Sequence, residues 1–228
     1  MKPKLPMLLA LLAMMVGGQP AEAQLTNSIY GFYFTAFPGE GCFATNVNGF
    51  ANLAYLQMTD PADADQIIAC NSKLLVDTTW VFWNGTPGLN PNYQVAWNNF
   101  KAQLTPYHVS QIAAFYVMDE PYWGDHGLTP AQLQTAVACI KTDFPNIPVA
   151  VTFAASSVDN FNSSSWIPTN LNWISFDVYN DFNPVAGLLA KLETYKQPNQ
   201  KIFLTPQGWR NGDTDATVAD RSYDYHDL

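Results

Sequence analysis

One unit returns along this chain, and it limits the folds open to it. An apolar, aromatic and β-branched run is followed at an interval by a capping residue and a proline, and then by apolar residues at helical period. The strand-like runs are SIYGFYFTA (28–36), NLAYLQM (52–58), LLVDTTWVFW (74–83), IAAFYVMDE (112–120), PVAVTFA (148–154), WISFDVYN (173–180) and KIFLTPQG (201–208). Their near-continuous hydrophobicity suits strands covered on both faces, as in parallel sheets. The helix openers are Asp60-Pro61, Asn90-Pro91, Thr129-Pro130 and Asn183-Pro184. Each joins an N-cap side chain to a proline whose missing N–H costs nothing in the first turn. Gln132 follows Thr129 at capping-box spacing, and Leu133, Ala136, Val137 and Ile140 then mark one helical face. Tyr93, Trp97, Phe100 and Leu104 mark another, and Val185, Leu188, Leu189 and Leu192 a third.

Strand and helix in alternation predict an α/β fold with a parallel sheet. Seven units at this spacing suit a (β/α)8 TIM barrel better than a six-stranded open sheet, with an intact open seven-stranded sheet as the alternative. After Trp209 the sequence RNGDTDATVADRSYDYHDL reads as a polar loop and the beginning of a helix. The expectation is a single barrel domain over residues 24–228, truncated after strand seven, with its eighth strand and helix missing.

Residues 1–23 stand apart. Lys2 and Lys4 precede a short apolar core, and Ala21-Glu22-Ala23 forms a cleavage site, the pattern of a secretory signal peptide too short to span a membrane. The expected protein is secreted or periplasmic. The net charge of −9 becomes −10 without that leader, which leaves no electrostatic footprint for nucleic acid or an anionic membrane. Cys42, Cys70 and Cys139 contain no C-x-x-C, so a zinc or thioredoxin-type site is not expected. Cys139 falls on an apolar helix face and reads as core; Cys42 and Cys70 are a candidate disulfide. The segment from Gly39 to Ala44 fits G-x-G-x-x-A, yet Glu40 puts an anion in the cradle and no helical pattern follows. It reads as a loop, and no cofactor is expected. His108, His126 and His226 are isolated and none lies on a strand, so no metal is expected either. A serine hydrolase is not favoured, since G-x-S-x-G is missing.

The chemistry gathers at strand ends. Strict alternation along the fourth candidate puts Tyr116, Met118 and Glu120 on one face and Phe115, Val117 and Asp119 on the other. Glu120 then points inward at the C-terminal end, where barrel active sites lie, while Asp119 faces away and is the more structural of the two. The sixth candidate gives an inward set of Ser175, Asp177 and Tyr179, and the seventh places Gln207 at its end. Trp83, Trp123 and Trp209 flank the same mouth. Two acids ringed by indoles suit a sugar, with carboxylates for proton transfer and flat rings for stacking. Trp97 and Trp173 fall at core periods and read as packing.

YVMDEP, SFDVYN and LTPQGW, in that order, resemble the superfamily of (β/α)8 glycoside hydrolases that includes cellulases and β-galactosidases, above all secreted bacterial glycosidase-like barrels with a D-E-P end on strand four. The resemblance implies that Glu120 is the acid/base, with Asp119 in the place of the usual asparagine. It also implies a nucleophile ending strand seven, where this sequence has Gln207, an amide that cannot serve. The expectations are therefore a glycosidase using Glu120 as acid and Asp177 as an inverting partner, or a non-catalytic carbohydrate-binding barrel. Asn84-Gly85-Thr86 and Asn162-Ser163-Ser164 are sequons should the host glycosylate them.

Overall fold

The computed structural model describes residues 31–37, 41–42, 51–57, 61–178 and 184–203. The strands are β1 (Gly31–Phe37), β2 (Gly41–Cys42), β3 (Leu53–Gln57), β4 (Lys73–Asp77), β5 (Ile112–Asp119), β6 (Val149–Ala154), β7 (Trp173–Asp177) and β8 (Lys201–Ile202). Between them stand α1 (Pro61–Ala69), α2 (Thr79–Phe82), α3 (Tyr93–Lys101), α4 (Pro106–Gln111), α5 (Pro130–Asp143), α6 (Ala155–Asp159) and α7 (Val185–Tyr195). All strands join one sheet in the order β2-β1-β3-β4-β5-β6-β7-β8, in which only the short β2 runs antiparallel. The fold is α/β, with seven parallel strands in chain order.

Sequential order has a geometric consequence. Crossovers between parallel strands share one hand, so every helix falls on the same face of the sheet. Two separate cores follow. The larger lies under the helices and takes Leu74, Val76, Phe115, Val117, Val151, Phe153, Ile174 and Phe176 from the strands and Leu133, Ile140 and Leu192 from the helices. The smaller consists of Tyr55, Leu75, Ala114, Tyr116 and Ala150, strand residues alone, on the opposite, inner face. A sheet whose bare face packs on itself is the barrel arrangement, with side chains filling the interior.

Local chemistry sets the element ends. At α5 the Thr129 hydroxyl accepts from Gln132 N–H at 3.2 Å, and Gln132 Oε1 accepts from Thr129 N–H at 2.8 Å, the capping box read from sequence. Thr105 and His108 build a second one at α4, a helix that the apolar pattern left unmarked. The Asn90 and Asn183 expectations fall slightly short, since α3 opens after Asn92 and α7 after Pro184. Trp97 is buried against Phe82, Phe100 and Phe115, while its Nε1 donates to Asp143 at 2.6 Å.

Three expectations change. The third run does not continue as a strand to Trp83, because β4 stops at Asp77 and 79–82 coil into α2. The Asp77 carboxylate accepts from Thr79 N–H at 2.9 Å and from the Thr79 hydroxyl at 2.6 Å, which turns the backbone out of the ladder. Cys70 carries a free thiol rather than a bridge to Cys42. Cys139 is half-buried at the edge of the helix layer rather than within it. Residues 1–23, and the strand-seven expectation beyond Phe203, lie outside the described residues.

Candidate active site

Every inner-face side chain is placed by the ladder. Ala150 belongs to the inner core, so Thr152 and Ala154 follow it on that face. The register pairs Ala150 with Trp173, Thr152 with Ser175 and Ala154 with Asp177, which sets Ser175 and Asp177 inward as expected. Gln57 and Asp77 pair across β3 and β4, one step beyond the inward Tyr55 and Leu75. Asp77 is thus a fourth inner carboxyl that the sequence reading passed over as mid-strand. The pattern D-x-T, an acid two residues before a hydroxyl in a run that ought to continue, was the available signal.

β5 departs from strict alternation. Tyr116 pairs with Ala150 and Asp119 with Thr152, so three steps on β5 match two on β6, a one-residue bulge. Val117 and Met118 both join the core under the helices. Asp119 is thereby returned to the inner face, where its Oδ1 accepts from the Tyr116 hydroxyl at 2.7 Å. This corrects the expectation that Asp119 faces away. Glu120 comes next with φ of 40°, a left-handed conformation that a residue with a side chain seldom adopts. Its N–H donates to Thr152 O at 2.9 Å, and its carbonyl accepts from Trp123 N–H at 3.0 Å. The bulge and the left-handed turn together let two consecutive acids turn toward the inner side of the sheet, which a regular strand forbids.

Glu120 and Asp177 meet. Their side chains share a hydrogen bond, and Glu120 is pushed up to about 8 by burial first, then by the charge of Asp177, that hydrogen bond and the charge of Asp119. A hydrogen bond that raises an acid's pKa is one that the protonated acid donates. Near neutral pH Glu120 therefore keeps its proton, beside the negative charges of Asp177 and Asp119. Asp77 is pushed up to about 6, chiefly by burial, with the Thr79 and Tyr55 hydrogen bonds opposing and the Asp119 charge adding to it.

The rim is aromatic. Trp123 lies in the loop after β5 and is 56% exposed. Trp83 follows α2, and its ring sits edge-on to His126 at 4.5 Å, while His126 Nδ1 lies 3.3 Å from the Glu120 carbonyl oxygen. Both expected rim tryptophans thus belong to the loops beside Glu120. Tyr179, Gln207 and Trp209 lie outside the described residues. Trp80, unmarked in the sequence reading, stands on the same rim. Among the described residues no group of three His, Cys, Asp or Glu can hold a metal ion, and no helix is long and apolar enough to cross a membrane.

No family model matches the chain, and no curated protein matches it. Among solved structures it is similar to a GH10 xylanase from Thermobacillus composti, at 11% identity over 80% of this chain and 72% of that one, with a TM-score of 0.49.

Proposed function

We propose that this protein is a secreted glycoside hydrolase in which Glu120 is the proton donor. The observation that carries the reading is the placement of Glu120. It is a carboxyl in a strained backbone conformation at the C-terminal end of an inner strand, kept protonated near neutral pH by burial first and then by the neighbouring Asp177 and Asp119. A general acid needs its proton at working pH, and two carboxyls that share one supply it. The Glu120 O–H passes its proton to the glycosidic oxygen as the bond from that oxygen to the anomeric carbon breaks. Glu120 is left as a carboxylate, the leaving group departs as the alcohol, and the sugar carries oxocarbenium character until water adds to it and returns a proton to the Glu120 carboxylate. Asp177 acts through Glu120 by holding its proton, rather than as the opposing base. Trp83 and Trp123 provide flat apolar faces for pyranose rings.

A second reading is supported by one observation. The resemblance puts the amide of Gln207 where a nucleophile is required, which favours a barrel that binds carbohydrate without cleaving it. Incubation with soluble xylan, barley β-glucan and konjac glucomannan, followed by measurement of new reducing ends, separates the two. Wild type is expected to release them and Glu120→Gln to lose at least about a hundredfold, the scale of general-acid catalysis. Equal release by both would refute the role of Glu120. Binding without release by wild type would establish the second reading.

A further inference from the structure

We infer that Trp80 is a sugar-stacking residue, the outer member of an aromatic cluster with Trp83, and that the ligand is an uncharged polysaccharide chain spanning several pyranose rings rather than a single terminal sugar. This rests on the carbohydrate reading above and extends it to substrate length.

The exposed indole stands on α2. Of its four residues, Thr79, Val81 and Phe82 are buried and anchor the turn, while Trp80 is 58% exposed. A lone exposed apolar residue is ordinary, but Trp80 stands in water against a second indole, Trp83, and an exposed aromatic cluster of this kind marks a contact surface. Four large apolar side chains are exposed among the described residues. Val95 lies along α3, and Tyr107 lies on α4, which precedes β5 and so stands at the other end of the strands. The remaining two, Trp80 and Trp123, both follow strand ends, those of β4 and β5, on the side where Glu120 lies.

The rings run outward from the acid in contact. His126 touches the Glu120 carbonyl, Trp83 sits edge-on to His126, and Trp80 packs on Trp83 with centroids 5.1 Å apart and planes 37° apart. The wall is also held in place. Gly88 N–H donates to the His126 carbonyl at 2.7 Å, which ties the loop after α2 to the loop after β5. An exposed indole backed by Trp83 and fixed on the wall beside a proton donor fits the apolar face of a sugar bound beyond the one being cleaved, and preorganisation keeps the entropic cost of binding low. The chain's net charge of −9 disfavours a ligand rich in uronic acids.

The test uses Trp80→Ala and Trp80→Phe in the full chain. Retention is measured by affinity electrophoresis in gels containing xylan, β-glucan or glucomannan, and affinity by titration with two-unit and six-unit oligosaccharides of the polymer retained. Trp80→Ala is expected to weaken binding of the polymer and the six-unit chain by about fivefold to tenfold, the scale of one stacked ring. Trp80→Phe should recover most of it. The affinity gain from two units to six should collapse in Trp80→Ala, with the thermal midpoint unchanged because the side chain is outside the core. Wild-type affinity in Trp80→Ala, for a polysaccharide that wild type does bind, would overturn the inference and leave the functional reading standing. A wild type that neither binds nor cleaves any of the three would end both.

Discussion

Replacing Asp77 by asparagine tests the electrostatics of the inner face. Asp77 is buried and pushed up from 3.8 to about 6 by that burial. The folded chain therefore holds this proton more tightly than the unfolded chain does. Stability is unaffected below about pH 3.8, falls as pH rises toward about 6, and is flat beyond. The full cost of ionising the group amounts to about 3 kcal/mol, of which about 2 kcal/mol develops between pH 4 and pH 7.5. Asparagine removes the charge and keeps the geometry. Its carbonyl accepts from the Thr79 N–H and hydroxyl, and its NH2 can turn to the Tyr55 oxygen. Asp77→Asn should thus be more stable than wild type by up to about 3 kcal/mol at pH 7.5, and by less than about 1 kcal/mol at pH 4. Urea unfolding followed by tryptophan fluorescence at both pH values measures this. A variant whose stability tracks wild type across that range, or falls below it at pH 7.5, would refute the reasoning, because it would mean that the ionised carboxylate is favourably held.

Two further changes probe the acids directly. Asp177→Asn removes the charge and hydrogen bond that raise Glu120, so the basic limb of the kcat/KM profile should move toward lower pH. An unmoved limb would deny Asp177 its proton-holding role. Glu120→Gly and Glu120→Ala both delete the carboxyl, but only glycine adopts the φ of 40° without strain. The glycine variant should be the more stable by about 1 kcal/mol in chemical denaturation, and equality would show that the backbone there is unstrained.

Much of the architecture was legible because local signals agreed with the global pattern. Thr129 and Gln132 announced α5, and the apolar runs announced the parallel strands, since a strand covered on both faces needs no alternation to be recognised. That same uniformity hid the site. In Phe115–Asp119 an extra residue can enter the ladder without any glycine or proline to mark it, and period-two counting then assigns Asp119 to the wrong face. Trp80 was hidden for a related reason. LLVDTTWVFW reads as one strand by composition, and only the side-chain bonds from Thr79 to Asp77 break it into strand and helix. Alternation put Glu120 and Asp177 toward one mouth, but strand spacing fixes where backbones lie and not how far side chains lean across the gap.

The extra residue in β5 makes this part of the chain sensitive to length rather than to identity. Many apolar side chains could stand where Val117 and Met118 do, yet shortening the segment by one would swing a charged group beneath the helices and carry its successor away from Asp177. Insertions and deletions are consequently barred from these few positions by burial alone, while the exposed turn around Gly85 has open space for extra residues, even though Gly85 itself, at φ of 87°, is held to glycine.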